Sequence, residues 1–505
     1  MSANEKELRA AQKAERKAAA AAEADKKNRS FRRNAIIVAV IFVVLIAFAL
    51  LVNSNYFYTH TTALTVGSTK YSPAEVNYFY RSTYNGIYQN LYNQLGDSTS
   101  MILDRNTPLD QQLYPYGEDE NMTWADAIKD TAQQDMVRVT ALYDAAVRAG
   151  RTLTADEQAA VDSDLAQMTT YATGNGYASL DKFLLAYFGK GVNTEVYTRM
   201  QNRIALASAY SQDLESSFSY TADQLSAYYT EHAAELDTYH YYNYPINSSD
   251  SALEGLEGDE LKAKMHEYAQ QIADATTDLD SMTEAVRAYT GENTVLSIAS
   301  NPADNIGAAY KDWITDPARQ KGDVAEFDGD SASYVVMFVE RNTNDYKTAD
   351  FRHILVKATP DEDGNYTEDA LAAAKEKAEL LLKDWSGTPT EDNFAELARL
   401  NSEDAGSTAN GGLYTDVTKY TMVPGVNSFL FDEGKVPGDT GIVFGQSSAY
   451  TGYHVMYYVG QSEQLYSETL AENALRQADY DAALAELSDG MDVVEGSGLR
   501  FVQAL

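Results

Sequence analysis

The chain holds six histidines, and two of them stand inside apolar runs. "FRHILVKA" (351–358) carries His353 among Phe351, Ile354, Leu355 and Val356, and "GYHVMYY" (452–458) carries His454 among valine, methionine and tyrosines. Both runs read as buried strands, where an imidazole must be satisfied by a hydrogen bond. Between them "SEDAG" (402–406) supplies an acid, Asp404. Three chemistries fit such residues. Paired imidazoles can organise a polar site in an apolar groove. Two histidines and an aspartate can hold a metal, which needs a further ligand or an open position. Each histidine can also be a satisfied core residue, and Asp404 a turn residue that ends a helix. The absence of cysteine removes thiolates, disulfides and Cys-ligated metals.

The elements that must position these residues occur twice. "DWITDPARQKGDVAEFDGDSASYVVMFVER" (312–341) and "SFLFDEGKVPGDTGIVFGQSSAYTGYHVMYYVG" (428–460) share one pattern. An aromatic precedes a Gly-Asp by nine residues, and an aromatic-x-V-M strand follows. Each copy opens on a strand, "YHYYNYPI" (239–246) or "FRHILVKA". Two copies of one domain, 239–345 and 346–460, are therefore expected. The second reads β-α-α-β-β, with Leu371, Ala374, Ala378 and Leu381 lining one helix face and Phe394, Leu397 and Ala398 the next. Residues 53–238 read as mostly helical. Their start signals are Ser72-Pro73-Ala74-Glu75, Thr154-Ala155-Asp156-Glu157 and Thr221-Ala222-Asp223-Gln224. The tail 461–505 reads as a helix followed by two short strands around Gly496-Ser497-Gly498.

Charge is divided sharply along the 505 residues. Residues 1–34 hold ten Lys or Arg against five Asp or Glu, and the rest hold 29 against 70. Between these regions "AIIVAVIFVVLIAFALLV" (35–52) has no charge and is long enough to span a bilayer. Arg29, Arg32 and Arg33 at its N-terminal edge predict a cytoplasmic tail (1–34), a signal-anchor helix (35–52) and an outward-facing remainder. A cleaved signal peptide is the competing reading, with a long leader and only a faint cleavage pattern at Ala47-Phe48-Ala49. Strong acidity excludes a phosphate-binding face for nucleic acid, and no acidic run has the calcium-loop spacing.

Six strings in the second copy resemble, in order, those of the parvulin-type prolyl isomerases. They are Arg352-His353-Ile354-Leu355-Val356, Phe394-Ala395-Glu396-Leu397-Ala398, Ser402-Glu403-Asp404, Gly411-Gly412, Met422-Val423-Pro424 and Gly452-Tyr453-His454. The exported part as a whole resembles extracytoplasmic foldases of the PrsA and SurA kind. That resemblance implies an α+β chain: a helical chaperone-like domain built from both chain ends (53–238 with 461–505) and two tandem parvulin-like domains. It implies catalytic positions at His353, Asp404 and His454, with the histidines hydrogen-bonded at the floor of a groove. It further implies an apolar pocket for the proline ring from Met422, Val426, Phe429 and Phe431, Val426 standing where the family often has Phe. No cofactor or metal is implied. In the first copy, by letter alignment, Tyr241 or Tyr242 stands in place of His353 and Val335 in place of His454, so that copy reads as degenerate.

The expected function is isomerisation of X-Pro bonds, with chaperone activity, on unfolded or newly exported polypeptides. The expected place is the cell membrane, single-pass, with the N-terminus inside. A silent holdase, or a wall-associated scaffold that keeps the parvulin fold for binding only, is the alternative from another class.

Overall fold

The computed structural model describes residues 3–117, 119–291, 294–362 and 364–503, and in the first helix no side chain at 3–7, 30 or 47–53. The chain is α+β and divides into two compact units, Met1–Phe218 with Asp479–Leu505, and Ser219–Ala478.

The first unit begins with the helix Ala3–Asn53. Ile36, Ile37, Val38, Val40, Ile41, Phe42, Val43, Val44, Leu45 and Ile46 are all exposed on it. Among the described residues no helix is long and apolar enough to cross a membrane. The expected span at 35–52 runs through 47–52, whose side chains lie outside the described ones. A hairpin of β1 (Leu64–Val66) and β2 (Thr69–Tyr71) follows, and β11 (Val493–Glu495) pairs antiparallel with β1. Ser72 caps the helix Pro73–Leu95 through a capping box with Glu75, as the Ser-Pro-x-Glu string predicts. The helices Trp124–Arg148, Ala155–Gly174, Leu180–Phe188 and Thr194–Ser217 complete the unit. Their apolar faces close over Tyr71, Phe79, Met136, Leu184 and Met200.

Two readings change here. Residues 499–501 form a 3-10 turn where a second tail strand is expected. Gly498 N–H donates to Thr62 O and Phe501 N–H to Gly498 O, so the chain curls onto the hairpin and has no strand partner left. The helix Tyr466–Ser488 is also divided: its first half belongs with 219–238 in the second unit, where Leu225, Tyr229 and Ala471 share a core.

The second unit holds two sheets of identical topology, β4-β3-β6-β5 and β8-β7-β10-β9. In the first sheet β3 is Thr238–Asn247, β4 Ile298–Pro302, β5 Val324–Asp328 and β6 Ala332–Asn342. In the second, β7 is Ala349–Lys357, β8 Leu413–Val417, β9 Thr440–Gln446 and β10 Thr451–Gln461. One face of the second sheet packs on the helices Glu368–Ser386 and Glu391–Asn401 through Ile354, Val356 and Val455. The other packs on Pro424–Phe431 through Phe351, Met456 and Tyr458. β8 and this last helix are additional to the β-α-α-β-β pattern.

Letter alignment of the two copies proves one residue out. Gly322 N–H donates to Phe338 O and Phe338 N–H to Asp323 O; Gly438, Tyr458 and Asp439 repeat the same pair of bonds. Phe338 therefore matches Tyr458. Because Tyr241 pairs with Phe338 and Phe351 with Tyr458, Asn243 matches His353 and Tyr334 matches His454. A slip of one residue exchanges the faces of a strand, so Tyr242 and Val335 belong to the opposite face, under the helices 258–275 and 279–290.

Candidate active site

β7 and β10 are the central strands of their sheet, and the register sets Met456 opposite His353 and His454 opposite Leu355. Alternation then puts both imidazoles on the face covered by Pro424–Phe431. Both are buried, at 6% and 3% exposure. Their Nδ1 atoms lie 2.8 Å apart, and the rings are nearly parallel, 14° between planes.

Asp404 is delivered by a loop that backs onto the strand beyond the end of β8. Glu403 N–H donates to Leu355 O, and Leu355 N–H donates to Ser402 Oγ. This brings Asp404 Oδ2 to 2.9 Å from His353 Nε2. Ser407 and Tyr414 donate their hydroxyls to the same oxygen. The His353 hydrogen bond, with those of Ser407 and Tyr414, holds the Asp404 carboxyl well below the usual carboxylate range against the opposing effect of burial. The glycine loop fixes the other side. Gly412 has φ +75°, a Cβ there would fall 2.2 Å from His353 O, and its own carbonyl accepts from His353 N–H. Arg352 anchors that loop, donating to Glu391 and to the carbonyls of Asn410 and Gly411.

The fourth member is Tyr450, whose hydroxyl lies 3.0 Å from His454 Nε2. One proton arrangement satisfies the whole row. An ionised Asp404 only accepts, so His353 Nε2 carries a hydrogen. His353 Nδ1 then accepts from His454 Nδ1–H, and His454 Nε2 accepts from Tyr450 O–H. All four ring nitrogens are thus engaged. Burial, with a smaller contribution from His353, pushes His454 down to about 3, and burial pushes Tyr450 up to about 12. At ordinary pH His454 and Tyr450 are therefore uncharged and Asp404 is ionised.

The residues expected to grip a proline ring are distributed unevenly. Val426 and Phe429 are buried in the core between the Pro424–Phe431 helix and the sheet, with Met422 half-buried beside them. Phe431 packs edge-on against Tyr346, 5.6 Å away, beneath the Lys419 ammonium. Val423, which sequence reasoning passed over, reaches the point beside His454: a Cβ on Gly445 would meet both His454 Nε2 and Val423 Cγ2. Ser407, Tyr414 and Tyr450 were also missed. The signal available for Tyr450 was its place four residues before His454, one helical turn in a helix but a hairpin end in a strand.

The corresponding face of the first copy is filled. Asn243 Nδ2 donates to Tyr310 O–H at 3.3 Å, and the Tyr310 ring packs on Tyr241, Phe327 and Tyr334. Tyr310 is buried, which raises its phenol. An aromatic plug occupies the place of the histidine row.

Residues 353–459 match the rotamase family, the PPIC-type PPIase domain. No curated protein matches the chain. Similar solved structures include peptidylprolyl isomerase (PrsA) from Bacillus anthracis, 20% identical, with 29% of this chain and 59% of that one aligned and a TM-score of 0.18. PrsA from Bacillus subtilis is 11% identical over 76% of this chain and 94% of that one, TM-score 0.25. The foldase protein PrsA from Streptococcus pneumoniae is 13% identical over 74% and 90%, TM-score 0.24. Residues 353–459 thus form a PPIC-type domain, which supports peptidyl-prolyl cis-trans isomerase activity, and the histidine row lies on the two central strands of its sheet.

Proposed function

We propose that this isomerase is tethered to the cell membrane by residues 35–52 and faces outward, acting on newly exported or unfolded polypeptides that contain X-Pro bonds. His353, Asp404 and His454 are its catalytic positions. Rotation about the X-Pro amide is opposed by resonance, a barrier of ~18–20 kcal/mol. A groove that desolvates the carbonyl and favours the twisted amide lowers that barrier without nucleophile or proton transfer. The observation that carries the reading is the closed row from Tyr450 to Asp404, which fixes two imidazoles on the central strands.

The proposed organisation is a helical polypeptide-holding domain (53–218 with 479–505), and, in the second unit, a non-catalytic copy (239–345) and the isomerase (346–460). The filled face of the first copy supports its use for binding or spacing. The anchor is supported by apolar side chains exposed all round the first helix at 36–46, with Arg29, Arg32 and Arg33 preceding them. The test is isomerisation of an Ala-Pro peptide by the full chain and by His353→Ala, together with protease shaving of intact cells. Turnover lost in the variant and a domain accessible from outside are expected. A wild type that suppresses client aggregation but turns over no peptide would select the holdase.

A further inference from the structure

In the first unit a cavity of about 600 Å³ opens between three helices, a volume in the range of small-ligand sites. Asp164, Met168 and Tyr171 reach it from Ala155–Gly174, Phe183 and Tyr187 from Leu180–Phe188, and Tyr197 from Thr194–Ser217. The first three stand at i, i+4 and i+7, so one helix face presents a carboxylate at one end and a ring at the other. Phe183 is the hub of the rings: Tyr187 stacks on it at 5.2 Å, and Tyr171 packs edge-on at 5.6 Å. Phe183 is buried, whereas Tyr171 and Tyr187 are exposed. Gln167 also lines the cavity; its amide nitrogen donates to Ser163 Oγ, which leaves its carbonyl oxygen as an acceptor.

Two polar groups of this lining lack partners. Tyr197 is only 4% exposed, and among the described residues its hydroxyl makes no hydrogen bond, although a buried phenol ordinarily finds one. Burial pushes that phenol up to about 12, with smaller contributions from Tyr78, Asp164 and Tyr187. The last two line the cavity, so the hydroxyl lies toward it. Asp164 forms no ion pair among the described residues. The charge of Arg105 reaches Tyr187, but its guanidinium is seated on the Tyr88 ring at 3.6 Å.

A cation that carries N–H groups completes such a site. Ring faces attract a cation, Asp164 answers its charge, and the Tyr197 hydroxyl and Gln167 carbonyl accept its hydrogens. A leucine or phenylalanine side chain would meet the rings but offer nothing to the carboxylate or the phenol. A quaternary ammonium has the charge but no N–H to give. A planar guanidinium supplies all three contacts and stacks on aromatic faces, with Met168 beside its apolar stem. The surplus of acidic residues after residue 34, 70 against 29 basic, draws basic chains toward it. We propose that this cavity binds an arginine side chain of an extended, non-native polypeptide. The inference rests on the reading of the helical unit as polypeptide-holding, and names the side chain that it selects.

The experiment uses the full chain and labelled, proline-free decapeptides that differ at one central residue: arginine, citrulline, trimethyl-lysine or phenylalanine. Citrulline keeps the shape and the N–H groups without the charge; trimethyl-lysine keeps the charge without the N–H groups. By fluorescence anisotropy the arginine peptide should bind about tenfold tighter than each of the others, the scale of one partly desolvated cation–ring contact. Asp164→Asn should bring the arginine-to-citrulline ratio close to one, and Tyr197→Phe the arginine-to-trimethyl-lysine ratio. Melting temperature should hold in both, because neither side chain has a polar partner to lose. A wild-type ratio of one, ratios that neither substitution moves, or tightest binding of the phenylalanine peptide overturns the proposal. N-acetylargininamide gives an arm that needs no polypeptide to be held, followed by the fluorine signals of fluorotyrosine at 171 and 187. Saturable shifts that Asp164→Asn abolishes support the site, and their absence in the wild type overturns it. If argininamide binds and no peptide does, the polypeptide-holding reading fails while the arginine site stands.

Discussion

His353 and His454 are 101 residues apart in the chain, and their Nδ1 atoms meet at 2.8 Å. Two neutral imidazoles can meet through like-named nitrogens only if they adopt different tautomers, one donating and one accepting. The tautomers are imposed from the ends of the row. Asp404 requires a hydrogen on His353 Nε2, and Tyr450 offers one to His454 Nε2.

Tyr450→Phe should therefore act through His454. It leaves Nε2 buried without its donor, a loss of about 1–3 kcal/mol, and frees the ring to change tautomer. We expect kcat/KM for an Ala-Pro peptide to fall about tenfold, with a drop of at least a few degrees in melting temperature. The nitrogen chemical shifts of His454 should move toward a tautomer mixture. Unchanged shifts together with unchanged turnover would remove Tyr450 from the row.

Gly412→Ala and Gly434→Ala should separate geometry from glycine content. Both glycines have positive φ, but a Cβ at 412 would lie 2.2 Å from His353 O while nothing lies within 4 Å at 434. The second substitution should cost only ~1 kcal/mol of backbone strain. The first should displace β7, with loss of activity and a much larger drop in melting temperature. Equal effects would mean that the loop does not hold the strand.

Acid should loosen the second unit in two stages. His240 is pushed down to about 4, by burial first and Lys419 second, and His454 to about 3. A histidine whose folded value lies below its unfolded ~6.5 contributes stability above that pH, and the contribution is lost as pH falls toward the folded value. Stability should decline by a few kcal/mol between about pH 6.5 and 4. Below the ordinary carboxylate range, protonation of Asp404 adds to the decline, because its folded value is depressed. Urea denaturation at a series of pH values reads this out; a flat profile from pH 7 to 4.5 would mean that the two imidazoles are hydrated.

Removing residues 489–505 should destabilise the helical unit. The deletion takes away β11, whose Val494 and Val493 pair with Thr65 and Val66, and Gln503, which caps Lys190 N–H and donates to Asn77. We expect its melting transition to fall by at least about 5 °C. An unchanged transition would show that the tail adds nothing.

What could be read in the sequence was whatever a local rule marks. A histidine in an apolar strand is conspicuous because burial demands a partner, so His353 and His454 stood out. The capping boxes at Ser72, Thr154 and Thr221 follow from side-chain reach alone. Ser407, Tyr414 and Tyr450 could not be found that way, because each becomes relevant only when a loop or a neighbouring strand carries it to the row. The first copy shows the limit most clearly. Tyr334 and Tyr453 look equivalent by letter, but the connection from β5 to β6 is shorter than that from β9 to β10. Only the hydrogen bonds of Gly322 and Gly438 reveal which tyrosine faces the groove. The family resemblance implies Phe431 for the pocket; its ring packs on Tyr346 and against the same core as Met422.

The pairing of β11 with β1 also sets an order of assembly. Asn77 receives its hydrogen bond from a residue 426 positions later, so every residue of the two sheets is made before the small sheet of the helical unit can be completed. Contacts this distant form slowly, and until they form, the outer edge of Leu64–Val66 is open to any extended strand. The isomerase is thus complete while the unit ahead of it in the chain is still unfinished. A copy whose synthesis stops before Val493 keeps an unpaired strand edge, a mark by which proteases can tell a truncated molecule from a finished one.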